Sequence, residues 1–205
     1  MYIKELSIDD KIIIEEIAVL HQKAFPGFFL TQLGKTFLQT LYKGYLYDKN
    51  SNILIAEENG EIKGFLAYSN DYSYFYKELI KHRIIQFAWC SFLAFLRHPS
   101  FARRLFRAFK KSDSVEKKEK YVELASICVD PRNMGCGVGT QLIDYLKSIT
   151  DFSCFEYINL ETDADNNEAA NAFYTKNNFV LYRQYITTEG RRMNEYRYYP
   201  TDKMK

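Results

Sequence analysis

Two hydrophobic periods divide the chain. Residues 2–6 alternate weakly and predict a first strand. Ser7-Ile8-Asp9-Asp10 then opens a helix, with Asp9 placed to cap it and Ile12, Ile13, Ile17 and Leu20 at helical spacing. Pro26-Gly27 interrupts. A second helix is expected over 31–47, carrying Leu33, Phe37, Leu38, Leu41 and Tyr45 on one side, and Asn50-Ser51-Asn52 marks a turn. Residues 53–58 and 61–69, joined by Asn59-Gly60, read as a hairpin, because Asn-Gly supplies the two positive φ values a tight turn needs. Residues 79–109 have helical period broken once at His98-Pro99, which predicts two helices. An apolar strand over 121–129 is followed by Pro131 and a cluster of glycines. Then come a helix over 139–149, a strand over 157–162, a short helix over 167–176 ended by Asn177-Asn178, and a final antiparallel pair over 179–186 and 195–199. This order predicts a mixed α/β or α+β layered fold.

Composition narrows the class. At 205 residues, 47% hydrophobic and 26% charged, the chain can bury a core and is not a disordered segment. No apolar run reaches the ~18–20 residues of a membrane span. Lys4, Glu5, Asp9 and Asp10 do not suit a signal peptide. Cys90, Cys128, Cys136 and Cys154 are scattered without a Cys-x-x-Cys pair, and three histidines are equally dispersed. That argues against a zinc cluster or a disulfide framework, so no metal and a reduced, cytoplasmic setting are expected. The net charge of +2 hides an asymmetry. Residues 71–120 hold 12 Lys or Arg against 5 Asp or Glu, and no acidic residue occurs from 79 to 109. Such a segment either meets something anionic or is a solvated basic face.

The densest chemical signal is Gly135-Cys136-Gly137-Val138-Gly139, between the strand over 121–129 and the helix after it. Three glycines in five residues are costly unless the backbone itself is used. A glycine-rich turn entering a helix N-terminus directs several N–H donors and the helix dipole at one place, which suits a phosphate. Neither a P-loop nor a dinucleotide fingerprint fits: no lysine follows the glycines, Thr140 stands where a further glycine would be needed, and residues 130–134 intervene after the strand.

Residues 129–142 resemble the acetyl-CoA loop of the GNAT superfamily of N-acyltransferases, whose pattern is Arg/Gln-x-x-Gly-x-Gly/Ala followed by leucine. Leu142 sets the register, so Gly137 and Gly139 are the motif glycines and Met134 stands at the Arg/Gln position. An alternative register beginning at Arg132 restores the arginine and misplaces the leucine. A second block, residues 167–179, resembles the family's Asn-x-x-Ala-x-x-x-Tyr-x-x-x-Gly-Phe, with Asn178 in place of glycine. Asparagine is the next-best residue for a left-handed helix end. The resemblance covers residues 121–182 and implies a mixed, mostly antiparallel central sheet flanked by helices. Residues 71–120 then read as a helical basic insertion in one domain spanning 1–205.

The resemblance further implies acetyl-CoA as co-substrate. Pantetheine is expected along the backbone of Ile127, Cys128 and Val129, where strands splay. The pyrophosphate is expected on the amides of Met134, Gly135, Cys136, Gly137, Val138, Gly139 and Thr140. Asn167 would contact the cofactor or cap its helix, or both. Tyr174 stands where the family's tyrosine protonates the leaving thiolate. Glu123 and Glu161 are the candidate bases, Glu123 first. Cys128 and Cys136 read as small packing residues, since no histidine follows His98 to activate a thiol.

The implied reaction is acetyl transfer to a primary amine of a small molecule, amino sugars and nucleotide-linked amino sugars among the candidates. The competing class is a degenerate CoA-binding or surface-binding protein on the same fold, which Met134 favours. Residues 79–111 include a stretch with Ala102, Leu105, Phe106 and Phe109 on one side and Arg103, Arg107, Lys110 and Lys111 on the other. Three readings stay open for it: a lid over the acceptor site, a dimer or partner surface, and a contact with an anionic membrane. A pI near 8.2 and the apolar partners of these cations argue against nucleic acid.

Overall fold

The computed structural model of the protein describes residues 1–10, 12–97 and 119–200. Its strands are β1 (Tyr2–Glu5), β2 (Ser51–Glu58), β3 (Glu61–Ser69), β4 (Tyr121–Val129), β5 (Tyr157–Asp163), β6 (Val180–Ile186) and β7 (Arg192–Tyr198). Its helices are α1 (Ile13–Ala24), α2 (Phe29–Gln32), α3 (Lys35–Tyr47), α4 (Tyr72–Arg97), α5 (Val138–Ile149) and α6 (Glu168–Lys176). The strands form one sheet in the order β1-β2-β3-β4-β5-β7-β6. Every neighbouring pair is antiparallel except β4–β5. This is the mixed, mostly antiparallel sheet that the sequence implied.

Alternation along the central strands divides the core. Ile53, Ile55, Phe65 and Ala67 face α1, α3 and α4, together with Ile14, Ile17, Phe37, Tyr42 and Phe75. Leu54, Ala56, Leu66, Val122 and Leu124 face the other way, onto Val138, Leu142 and Ile143 of α5 and Tyr174 of α6. The hairpin turn forms as expected, with Asn59 and Gly60 at φ 53° and 78° and Glu58 opposite Glu61.

Several boundaries differ from the sequence reading. Asp9 does not cap α1. The neighbouring Asp10 carboxylate instead accepts from the Ser7 amide and hydroxyl at 2.8 and 3.0 Å, closing a turn before the helix starts at Ile13. The helix expected over 31–47 is two helices, because Gly34 takes φ 98° and starts α3 as its N-cap. The first helix expected after residue 79 begins at Tyr72, where the Asp71 carboxylate accepts the Tyr74 amide at 3.0 Å. The second helix expected after His98-Pro99 lies outside the described residues, as does the basic stretch 102–111.

Candidate active site

β4 and β5 are paired over only three positions: Tyr121 with Tyr157, Val122 with Ile158 and Glu123 with Asn159. Just beyond, the register of β4 against β3 shifts between Ala67 and Tyr68, leaving Ala125 as an extra residue on β4. A bulge bends and twists its strand, and β5 does not follow. From Leu124 to Val129, β4 stays paired to β3 and has an open edge toward β5. Ile127, Cys128 and Val129 lie on that open stretch. The Cys128 side chain points away from it, toward the Leu20 carbonyl at 3.7 Å, and burial pushes its thiol up to about 12. A thiol so hard to ionise packs and does not attack.

The glycine loop follows β4. Gly135 and Gly137 have φ 79° and 80°, and a Cβ added at Gly135 would meet nothing within 4 Å. Both glycines therefore serve backbone conformation beside open space. Gly137 is the N-cap of α5 and offers no side chain to its first amides. Gly139 has another role. A Cβ there would meet the Phe173 ring at 2.9 Å, so its absence lets α6 pack on α5. Val138 is buried, while Met134 is 69% exposed and Cys136 is exposed. Arg132, which the alternative register would use, forks onto Asp130 at 2.9–3.0 Å and holds that carboxyl down at about 2. Its charge is already matched.

Glu123 and Tyr174 lie in the layers on opposite faces of the sheet. Tyr174 belongs to the apolar layer under α5 and α6, with the rings of Phe173, Phe179 and Tyr196 within 5.4–6.1 Å. Burial raises its phenol to about 12, so it is protonated and a donor at neutral pH. Glu123 alternates with Val122 and Leu124 and faces the other layer, where its charge is felt by Tyr45, Tyr72, Tyr76 and Tyr121. It accepts a hydrogen bond from Asn159 Nδ2 at 2.7 Å. Glu161 accepts from the Tyr185 hydroxyl at 2.5 Å, farther along β5.

Asn167 is the N-cap residue of α6 by position, and its side chain does not cap the helix. Its amide donates to Thr162 Oγ1 at 2.7 Å and to the Asp163 carbonyl at 3.1 Å, tying α6 to the end of β5. Asn178 ends the helix in the left-handed region at φ 63°, as its substitution for glycine predicts.

Sequence reasoning missed three parts of this region. Asn159 is 1% exposed and its Oδ1 has no hydrogen-bond partner. The available signal was one polar residue between Ile158 and Leu160 in a buried strand. Gly64 lies opposite Val129, and a Cβ there would strike the Cys128 carbonyl oxygen at 2.8 Å. His21 is buried with Nδ1 2.7 Å from the Tyr42 hydroxyl. Among the described residues, no cluster of metal-ligating side chains forms.

A bulged central strand, an open edge and a glycine turn onto a helix thus lie together at the middle of the sheet. The family model described as Acetyltransferase (GNAT) family matches residues 14–179. The chain belongs to the GNAT acetyltransferase family, whose acyl donor is acetyl-CoA. Solved structures share the fold at low identity. A candidate GNAT-family acetyltransferase from Desulfovibrio desulfuricans is 13% identical with a TM-score of 0.62, covering 97% of this chain and 98% of its own. The ribosomal-protein-S18-alanine N-acetyltransferase from Escherichia coli is 15% identical with a TM-score of 0.56, covering 97% and 92%. A candidate streptothricin acetyltransferase from Bacillus anthracis, solved with acetyl coenzyme A, is 20% identical with a TM-score of 0.50, covering 78% and 68%. No match is found among curated proteins.

Proposed function

We propose that the protein moves an acetyl group from acetyl-CoA to the primary amine of a small molecule by direct attack on the thioester. The observation that carries this reading is the gap opening immediately beyond Glu123 and Asn159, with the glycine loop at its far end. In it, the open backbone edge of Ile127, Cys128 and Val129 aligns the donor, and the amides of residues 134–140 hold its pyrophosphate. Glu123, positioned by Asn159, takes the proton from the attacking amine, directly or through a water. The amine nitrogen bonds the acetyl carbon as the carbon–sulfur bond breaks. The phenol of Tyr174 donates a hydrogen bond to the leaving sulfur, and the proton taken up by Glu123 returns through solvent to the thiolate, which leaves an amide, a free thiol and both side chains restored.

The acceptor is proposed to enter from the Glu123 side. That face carries Asn159, Glu161, Arg183 and Arg197, polar groups of both signs. It suits a hydroxyl-rich amine better than an apolar one, which places amino sugars first for screening. Calorimetric titration with acetyl-CoA is the test, with Gly137→Trp as control. Binding in the micromolar range that the variant loses is expected. No binding at millimolar acetyl-CoA overturns the reading. Binding without turnover across amine acceptors assigns the chain to the non-catalytic class that exposed Met134 favours.

A further inference from the structure

Among the described side chains in the second half of α4, few meet the protein body. Phe87 is buried, its ring centroid 4.8 Å from that of Phe37, and Cys90 is half-buried. Around them, Ile84, Ile85, Trp89 and Phe92 are 49%, 82%, 82% and 54% exposed. Ile85, Trp89 and Phe92 follow i, i+4, i+7 spacing and share one stripe. Ile84 lies about 100° away around the helix, so the apolar surface is convex and wraps more than one side. Toward the helix start the stripe continues into Lys81 and His82, both exposed and both reaching Glu78, at 3.5 and 2.9 Å. After Glu78 the sequence has no acidic residue before position 110, and residues 79–109 include six Lys or Arg.

Scattered exposed apolar residues are ordinary, but four large ones within three helical turns mark a contact surface. A second copy of the chain suits it poorly. A two-fold contact sets each stripe against itself, and Glu78, the carboxylate on it, is already held by Lys81 and His82 of its own helix. A shaped protein pocket suits a convex surface exposed on several sides less well than a fluid one. An anionic bilayer meets both conditions, since its interface accepts tryptophan and branched aliphatic side chains and its headgroups attract lysine.

We propose that the second half of α4 is a peripheral membrane anchor. Ile84, Ile85, Trp89 and Phe92 enter the interfacial layer of an anionic bilayer, and Lys81 meets its headgroups. Contact is superficial, because no helix among the described residues is long and apolar enough to cross a membrane. This inference is independent of the acetyl-transfer reading.

Trp89 is the chain's single tryptophan, so intrinsic fluorescence reports on the stripe directly. The full-length protein is titrated with phosphatidylcholine vesicles and with vesicles containing phosphatidylglycerol. A blue shift, quenched by brominated acyl chains, is expected with the anionic vesicles and should fade as salt screens the headgroups. Ile85→Glu keeps the fluorophore, changes an exposed position and should lower partitioning at least roughly tenfold. Lys81→Glu should lower it roughly fivefold or more. Equal response to neutral and anionic vesicles overturns the proposal, as does no response to either. Self-association that Ile85→Glu abolishes, without any vesicle response, overturns it and assigns the stripe to a second copy.

Discussion

On the α5–α6 face of the sheet, β4 and β5 present Val122, Leu124, Ile158 and Leu160 to an apolar layer. On the opposite face the same two strands present Glu123, Asn159 and Glu161, and β7 adds Glu195 and Arg197 at directly paired positions. Glu195 is fully buried between Arg183 at 2.6 Å and Arg197 at 3.1 Å. The Arg197 guanidinium lies 4.0 Å from the Tyr157 ring and 3.4 Å from the Tyr182 ring. An apolar layer is stabilised by shape and volume, and many residue combinations satisfy it. A buried charge network is stabilised only when every member is matched. In the proposed function the first face is the platform for the donor, and the second is the side from which the acceptor enters.

The largest expected effect is on that second face. Glu123→Gln should lower kcat by about 10²–10⁴ while acetyl-CoA affinity stays level. If calorimetry shows affinity falling as far as turnover, the two faces do not divide donor from acceptor chemistry. Glu195→Ala leaves two arginines facing a vacated site and should cost about 3–5 kcal/mol, read from urea unfolding. An unchanged midpoint would make the network a solvated one.

Acid should also act on the α1–α4 side. Burial lowers His21 from its ordinary 6.5 to about 4, so below pH 6.5 the unfolded chain takes up the proton first. The contribution is complete above pH 6.5 and is lost as pH falls toward 4, by roughly 3 kcal/mol. Unfolding midpoints measured across that window check it, and His21→Gln should flatten the slope. The smallest change belongs to the platform side. Tyr174→Phe removes one donor to a charged sulfur, worth about 1.5–3 kcal/mol, and should slow turnover tenfold or more with acetyl-CoA affinity intact. Unchanged turnover removes its assigned role.

The platform was the more legible face, for a physical reason. Its features rest on backbone conformation that few residues allow: Gly135 and Gly137 at positive φ and Asn178 in the left-handed region. Those constraints act locally, so they show as residue types at fixed spacing. The acceptor side depends on register. Glu195 faces Glu161 and Arg197 faces Asn159 only once β5 and β7 are aligned, and in the sequence they are two charged residues in the second strand of a predicted antiparallel pair. Gly34 misled for a related reason: a stripe of Leu33, Phe37, Leu38 and Leu41 runs past it, and burial follows that stripe across the interruption between α2 and α3.

Three pairs of residues join β4 to β5, and past them the middle of the sheet is an unfinished seam. Proteins hide edges of this kind because free amides and carbonyls recruit strands. Here the open edge of β4 from Leu124 to Val129 couples the stability of the fold to whatever strand-like molecule binds along it. A strand-like molecule that occupies it becomes a structural member and adds RT ln(1 + [L]/Kd), about 2.7 kcal/mol at a hundredfold excess over Kd. The half of the sheet built from β5, β6 and β7 is then fastened more firmly when donor is abundant and more loosely when it is spent. The lifetime of the protein in a cell would rise and fall with the pool it draws upon.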